Sequence, residues 1–292
     1  MKQSKKIIFI ADAYYEDYTG GAELNDHSLI IRLLAAGYEI VKKKCHEIDV
    51  DFLKDNKEEN FIVGNFRFMS DEIKNYLSKN NKYIIYEHDH KYLKKRNPLF
   101  YPNFKAPDSD LKDIFFYEGA IKTICLTKLA HDVFVRNTGL KNVDRVGASI
   151  WLNEDLDFIK KISNNTKNNK YAILQSNNPI KRTIDCIQYC KNKNIEYDLI
   201  SDKDNRKFLK KLSEYKGLVF KTGHLETCGR LVVEAKMLNC ELIIQKKLIG
   251  AAHEPWFSLT GNDLNDKIRD ISEDSINVFI RAFKNDNIHR YR

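Results

Sequence analysis

Two glutamates, one glycine and a helix start make the most chemically suggestive stretch of this chain. Residues 224–235 read HLETCGRLVVEA and lie between two short apolar runs, GLVF and ELIIQ. Glu226 falls in the turn after the first run, where it can face a ligand, and Glu234 comes two helical turns later. Gly229 lets the backbone approach a bound group closely. The helix start that follows, at Arg230, offers backbone N–H groups to an anion. Carboxylates orient hydroxyl groups, and a helix N-terminus takes phosphate. Two glutamates at this spacing are also compatible with surface or capping roles. Metal-binding strings are less persuasive. Asp49-Val50-Asp51 and Asp108-Ser109-Asp110 follow no clear strand. Residues of Glu87-His88-Asp89-His90 leave a strand in alternating directions, so they do not converge on one ion. No metal is therefore expected. A P-loop or G-x-G-x-x-G string is absent from the sequence, which argues against kinases and dehydrogenases.

Short apolar runs alternating with amphipathic segments must position these residues, and that alternation predicts βα units with parallel sheets. Strands are expected at 6–11, 61–64, 83–86 and 123–126, with helices at 22–36, 71–78, 111–118 and 128–137. Gly37 supplies the stop of the first helix and Thr127 the N-cap of the last. The polar stretch SNNTKNNK, 163–170, reads as a linker or exposed loop. Behind it, strands at 171–175, 197–201, 218–220 and 241–245 alternate with helices at 180–191, 206–213 and 230–238. A last amphipathic segment runs from 264 to 283. The expectation is α/β, with two Rossmann-like domains, 1–150 and 151–292, facing across a cleft.

The 292 residues suffice for two such domains, and 42% hydrophobic residues can build their cores. No apolar run reaches the roughly 20 residues of a membrane span. The apolar run after Met1–Lys6 is short and has no small-residue cleavage site, so no signal peptide is expected. Six cysteines without a C-x-x-C pair suit buried thiols in a reducing cytoplasm. The net charge is +8, of which the first 150 residues contribute +2 and the remainder +6. A general nucleic-acid footprint would be stronger.

Glu226, Gly229, Glu234 and Ala235 stand in the register of a family signature. The chain resembles the retaining family 4 glycosyltransferases of GT-B fold, whose mark is Glu, seven residues, Glu; Cys228 stands where phenylalanine is usual. The resemblance implies that Glu226 contacts the donor sugar and Glu234 the ribose of a nucleotide-diphosphate sugar. It implies that Gly20-Gly21, after the first strand, approaches the donor phosphates, and that His88 in YIIYEHD reaches the sugar. A G-G pair can equally shape a turn, and a histidine at a strand end can be a satisfied polar residue. The family's Gly-Arg and Lys grip is present in part: Lys181 matches the lysine, the arginine is absent, and Arg182 stands next to Lys181. Two adjacent cations at a helix start can still meet a diphosphate, or can decorate the helix. The family's Asn-Gly-Val-Asp after the first domain is replaced by Gly147-Ala148-Ser149.

The resemblance implies transfer with retention; because no metal-binding string is well placed, no metal or other cofactor is expected, and the acceptor is one that the residues do not identify: glycan, lipid-linked sugar, protein or modified nucleic acid. Two alternatives stay open. One is a nucleotide-sugar epimerase or hydrolase. The other is an inactive or nucleic-acid-associated binding protein of the same architecture, or a DNA-modifying glycosyltransferase that combines both properties.

Overall fold

The computed structural model describes residues 5–18 and 20–289, with side chains through 284. Met1–Ser4, part of the segment read for a signal peptide, lies outside the described residues. The chain divides into two compact units, one of residues 1–150 with 271–292, the other of 151–270.

The first unit runs β1 (Lys6–Ala11), α1 (Gly21–Ala35), β2 (Glu39–Lys44), α2 (Val50–Asp55), β3 (Asn60–Val63), α3 (Asp71–Asn80), β4 (Lys82–Glu87), α4 (Ile114–Gly119), β5 (Lys122–Cys125), α5 (Lys128–Thr138) and β6 (Val143–Arg145). The six strands form one sheet in the order β2-β1-β3-β4-β5-β6, with every pair parallel. Its central strands are continuous apolar runs because helices cover both faces of a parallel sheet. Ile8, Ile10, Phe61, Val63 and Ile85 are fully buried there, against Phe116, Tyr117 and Phe134. Gly37 ends α1 at φ +84°, with its N–H on Leu34 O at 2.9 Å. Thr127 caps α5 by accepting from Ala130 N–H at 3.4 Å.

The second unit holds α6 (Asn153–Ile162), β7 (Tyr171–Leu174), α7 (Thr183–Lys193), β8 (Tyr197–Ile200), α8 (Asn205–Leu212), β9 (Gly217–Phe220), α9 (Arg230–Met237) and β10 (Glu241–Ile244). Its parallel sheet has the order β10-β9-β7-β8. Ile173 and Val219 pack on Cys186 and Cys190 of α7, thiols that behave as small apolar groups. All six cysteines are buried and free. A last helix, α10 (Gly261–His289), begins in this unit, and its residues from 271 belong to the first. No helix of the described residues is long and apolar enough to cross a membrane.

Several elements differ from expectation. Residues 39–44 form an edge strand, whose Lys42 and Lys44 pair with Glu16 at 2.7 Å and Asp17 at 2.8 Å. Charged edges of this kind discourage pairing with another chain. Asp49 caps α2 through Phe52 N–H at 2.7 Å, and Asp51 pairs with Lys54 at 2.8 Å, so local structure accounts for that D-x-D string. The polar stretch 163–170 is no linker between units. It lies inside the second, where Lys167 donates to the carbonyls of Ser213 and Tyr215 at 3.0 and 3.2 Å. The helix expected from 180 begins at Thr183; a 3₁₀ turn, Pro179–Lys181, precedes it because Pro179 and the αL conformation of Arg182 interrupt the α-helical path.

Candidate functional site

In the second sheet the strand order reverses between β7 and β9, which are neighbours although β8 separates them in sequence. Loops leaving the carboxyl ends of two such strands diverge and leave a crevice, the usual ligand position in open α/β sheets. The loop after β7 carries Lys181, and the loop after β9 carries Thr222 and Glu226. Lys181 Nζ meets Glu226 Oε1 at 2.9 Å across this point, and Thr222 Oγ1 donates to the same oxygen at 3.3 Å. Lys181 Nζ also stands 5.5 Å from the centre of the Phe220 ring.

The Glu226 backbone is fixed as firmly as its side chain. Its N–H donates to Leu248 O, and its carbonyl accepts from Gly250 N–H, both at 2.9 Å. This parallel bridge to Ile249 holds the turn against the segment after β10. Burial pushes the Glu226 carboxyl up, but Lys181, with smaller help from neighbouring His224 and the Thr222 hydroxyl, more than offsets it, so the group stays below the usual carboxylate range. The Glu226 side chain keeps 18% exposure and Lys181 31%, which leaves both open to a ligand.

Gly229 caps α9 at φ +84°, a conformation that favours glycine. A Cβ there would lie 2.9 Å from Ile249 Cγ2 and 3.8 Å from Glu226 Cβ, so the helix N-terminus begins directly beside Glu226. One turn on, Arg230 Nε and Trp151 Nε1 both donate to Glu234 Oε1 at 3.0 Å. The Arg230 guanidinium lies 4.3 Å from the centre of the Trp151 ring. Burial pushes the Glu234 carboxyl up, and its two partners offset this only in part. Glu234 Oε2 makes no side-chain bond among the described residues. Arg182 behaves differently from Lys181: it is the αL cap of α7 and pairs with Asp185 of its own helix at 2.9 Å.

The remaining sequence-predicted residues lie in the first unit. Gly20 caps α1 with ordinary extended angles, and Gly21 opens the helix with no atom within 4 Å of the place a Cβ would take. His88, after β4, is buried. Its Nε2–H donates to Asp26 Oδ1 at 2.6 Å, and Asn25 Nδ2 approaches its other ring nitrogen at 3.5 Å. Asn25 also donates to the Tyr86 hydroxyl at 2.5 Å and accepts from Ile150 N–H at 2.6 Å. Sequence reasoning missed Asn25, Asp26, Trp151 and Thr222. Asn25 and Asp26 sit in the first turns of the helix behind Gly20-Gly21, buried polar residues on the face that continues into Leu29, Ile30 and Leu33, and that was the available signal.

No family model and no curated protein sequence matches the chain. Solved structures share its fold. HepE of Anabaena in complex with UDP-glucose aligns at TM-score 0.53 and 13% identity, over 92% of this chain and 91% of that one. A glycosyltransferase from Rickettsia africae aligns at 0.52 and 11%, over 100% and 99%. An alpha-glucosyltransferase in complex with UDP-glucose and DNA containing an abasic site aligns at 0.50 and 11%, over 92% and 90%. At such identities the likeness speaks for the fold. The chain has the α/β architecture of GT-B glycosyltransferases, with two Rossmann-like parallel sheets.

Proposed function

We propose that the protein is a glycosyltransferase whose second unit binds a nucleotide-diphosphate sugar and whose first unit serves the acceptor. The observation that carries this reading is the Lys181–Glu226 pair at the strand-order reversal, 2.9 Å apart and partly exposed. As the glycosidic bond breaks, negative charge develops on the departing diphosphate. A fixed ammonium and the start of α9 beside it stabilise that charge without a metal, since neither has to reorganise during the reaction. Glu226, held by Lys181, Thr222 and its backbone bridge, orients the sugar hydroxyls. Glu234 presents Oε2 to the ribose while Arg230 and Trp151 hold Oε1. The acceptor attacks from the leaving-group face, and the anomeric configuration is retained.

HepE and the alpha-glucosyltransferase were both captured with UDP-glucose, so UDP-glucose is the first donor to test. Calorimetric titration with UDP, followed by measurement of UDP release from UDP-glucose, examines the reading. Tight UDP binding with release that depends on added acceptor supports transfer. Release without any acceptor-dependent product points to a hydrolase, and no UDP binding removes the proposed donor site.

A further inference from the structure

The carboxyl edge of the first sheet carries a second surface that the donor site does not use. Between Asp89 and Asp108 the chain holds five Lys/Arg residues and four Phe/Tyr rings with no acid among them. The root of this loop is fixed. Buried Lys91 pairs with Glu87 at 3.1 Å and with Asp89 at 3.2 Å, Tyr117 donates its hydroxyl to Glu87, and Arg96 pairs with Asp89. His90, Arg96, Asn103 and Phe104 stand at positive φ, a backbone that persists only where its surroundings determine it.

β3 lies next to β4, so the loop after β3 emerges beside this one. There the N–H groups of Arg67 and Phe68 are held by the Asp12 carboxylate at 2.8 and 3.0 Å. Burial and the neighbouring charge of Arg67 lower the Arg96 guanidinium from its ordinary value. Phe68 and Phe100 are 70% and 63% exposed. Arg67 lies 5.7 Å from the first ring and Lys95 5.9 Å from the second. Arg67, Lys94 and Lys95 make no ion pair among the described residues. A merely solvated face needs the cations but not the bare rings.

We propose that this face binds single-stranded nucleic acid, with phosphates on Arg67, Lys94 and Lys95 and bases stacked on Phe68 and Phe100. Cations that track a backbone beside rings that stack bases are what an unpaired strand requires. A duplex keeps its base faces stacked inside. Two phenyl rings give little area for anchorage in a bilayer, whereas each is enough for one base. That such a strand carries the sugar acceptor rests on the transfer reading; the binding itself does not.

The test is fluorescence anisotropy of a labelled 20-nucleotide oligothymidylate with the full chain at several salt concentrations. Binding should weaken with salt, with a log–log slope of about −2 for three neutralised phosphates. Phe68→Ala and Phe100→Ala should each weaken binding about 5- to 150-fold. Lys94→Ala with Lys95→Ala should flatten the slope by about 1.4. All four positions are exposed, and melting curves confirm that the variants fold. Each protein is also titrated with UDP, whose affinity should not change. Absence of oligonucleotide binding at low salt, or equal binding by wild type and variants, overturns the proposal while intact UDP binding preserves the donor site. Sedimentation with vesicles containing phosphatidylserine, lost in the phenylalanine variants while the oligonucleotide does not bind, overturns it in favour of a membrane.

Discussion

At the scale of single residues, Lys181 and Arg182 are adjacent cations with opposite surroundings. Lys181 faces Glu226 at the reversal point, whereas Arg182 turns to Asp185 on its own helix. A charge-assisted bond to phosphate contributes roughly 1.5–3 kcal/mol, or about 10- to 150-fold in affinity. Lys181→Ala should therefore weaken UDP by about that factor and leave uridine almost unchanged, while Arg182→Ala should stay within about 2-fold for both. Calorimetry of the two ligands against the two variants decides it, and equal losses would return the diphosphate to both cations. Glu226 gives a second residue-level expectation. A carboxyl held below its ordinary value in the folded state stabilises that state fully above the unfolded value, roughly 4.3. The contribution is lost as pH falls through the lowered folded value. Glu226→Gln should thus be less stable than wild type at pH 7, and the gap should close in acid. Urea unfolding at stepped pH measures it; a gap that stays constant down to pH 3 counts against the Lys181–Glu226 pair as its source.

At the scale of elements, Gly229 joins the Glu226 turn to the start of α9, the two parts of the proposed donor site. Its φ of +84° and the 2.9 Å approach of a Cβ to Ile249 Cγ2 leave alanine no comfortable position. Gly229→Ala should cost about 1–3 kcal/mol of stability. It should also weaken UDP binding, because the displaced turn carries Glu226. A variant that unfolds and binds as wild type does would show that the cap tolerates a side chain. This cap was legible in the sequence, as were β1, β4, β7, β9 and α9, because buried parallel strands are unbroken apolar runs and the glycine precedes an apolar helix start. The strands β2 and β6 were not legible. β2 is EIVKKK, an edge strand whose lysines reach solvent, and β6 spans only Val143–Arg145. Neither buries enough apolar surface to leave a pattern. The site shows the same division. Glu226, Lys181 and Gly229 were visible as local motifs. Thr222, and Trp151 at 83 positions from Glu234, enter through folding contacts that no local window contains.

At the scale of the whole molecule, each unit holds a different set of ionisable groups, and their states bear on the stereochemistry of transfer. Inversion needs a general base that can take the acceptor proton as it attacks from the far side of the sugar. The sequence offers His88 and Asp89 for that task. In the first unit His88 is buried, with its Nε2–H spent on Asp26 at 2.6 Å and Asn25 beside its other nitrogen. Asp89 is clamped between Lys91, at 3.2 Å, and Arg96, so each of its carboxylate oxygens is held by a cation. Under the proposed function, Lys181 and the start of α9 in the second unit stabilise the leaving diphosphate, which favours attack on the same face as departure. Transfer should therefore keep the anomeric configuration of the donor. Proton NMR of the glucosylated acceptor formed from UDP-glucose reads the anomeric outcome directly. An α product is expected. A β product would require His88 or Asp89 to leave its partners during the reaction. If His88 is that base, His88→Ala should abolish turnover while leaving UDP affinity intact, whereas under retention it should act through stability, since it leaves Asp26 buried without its partner.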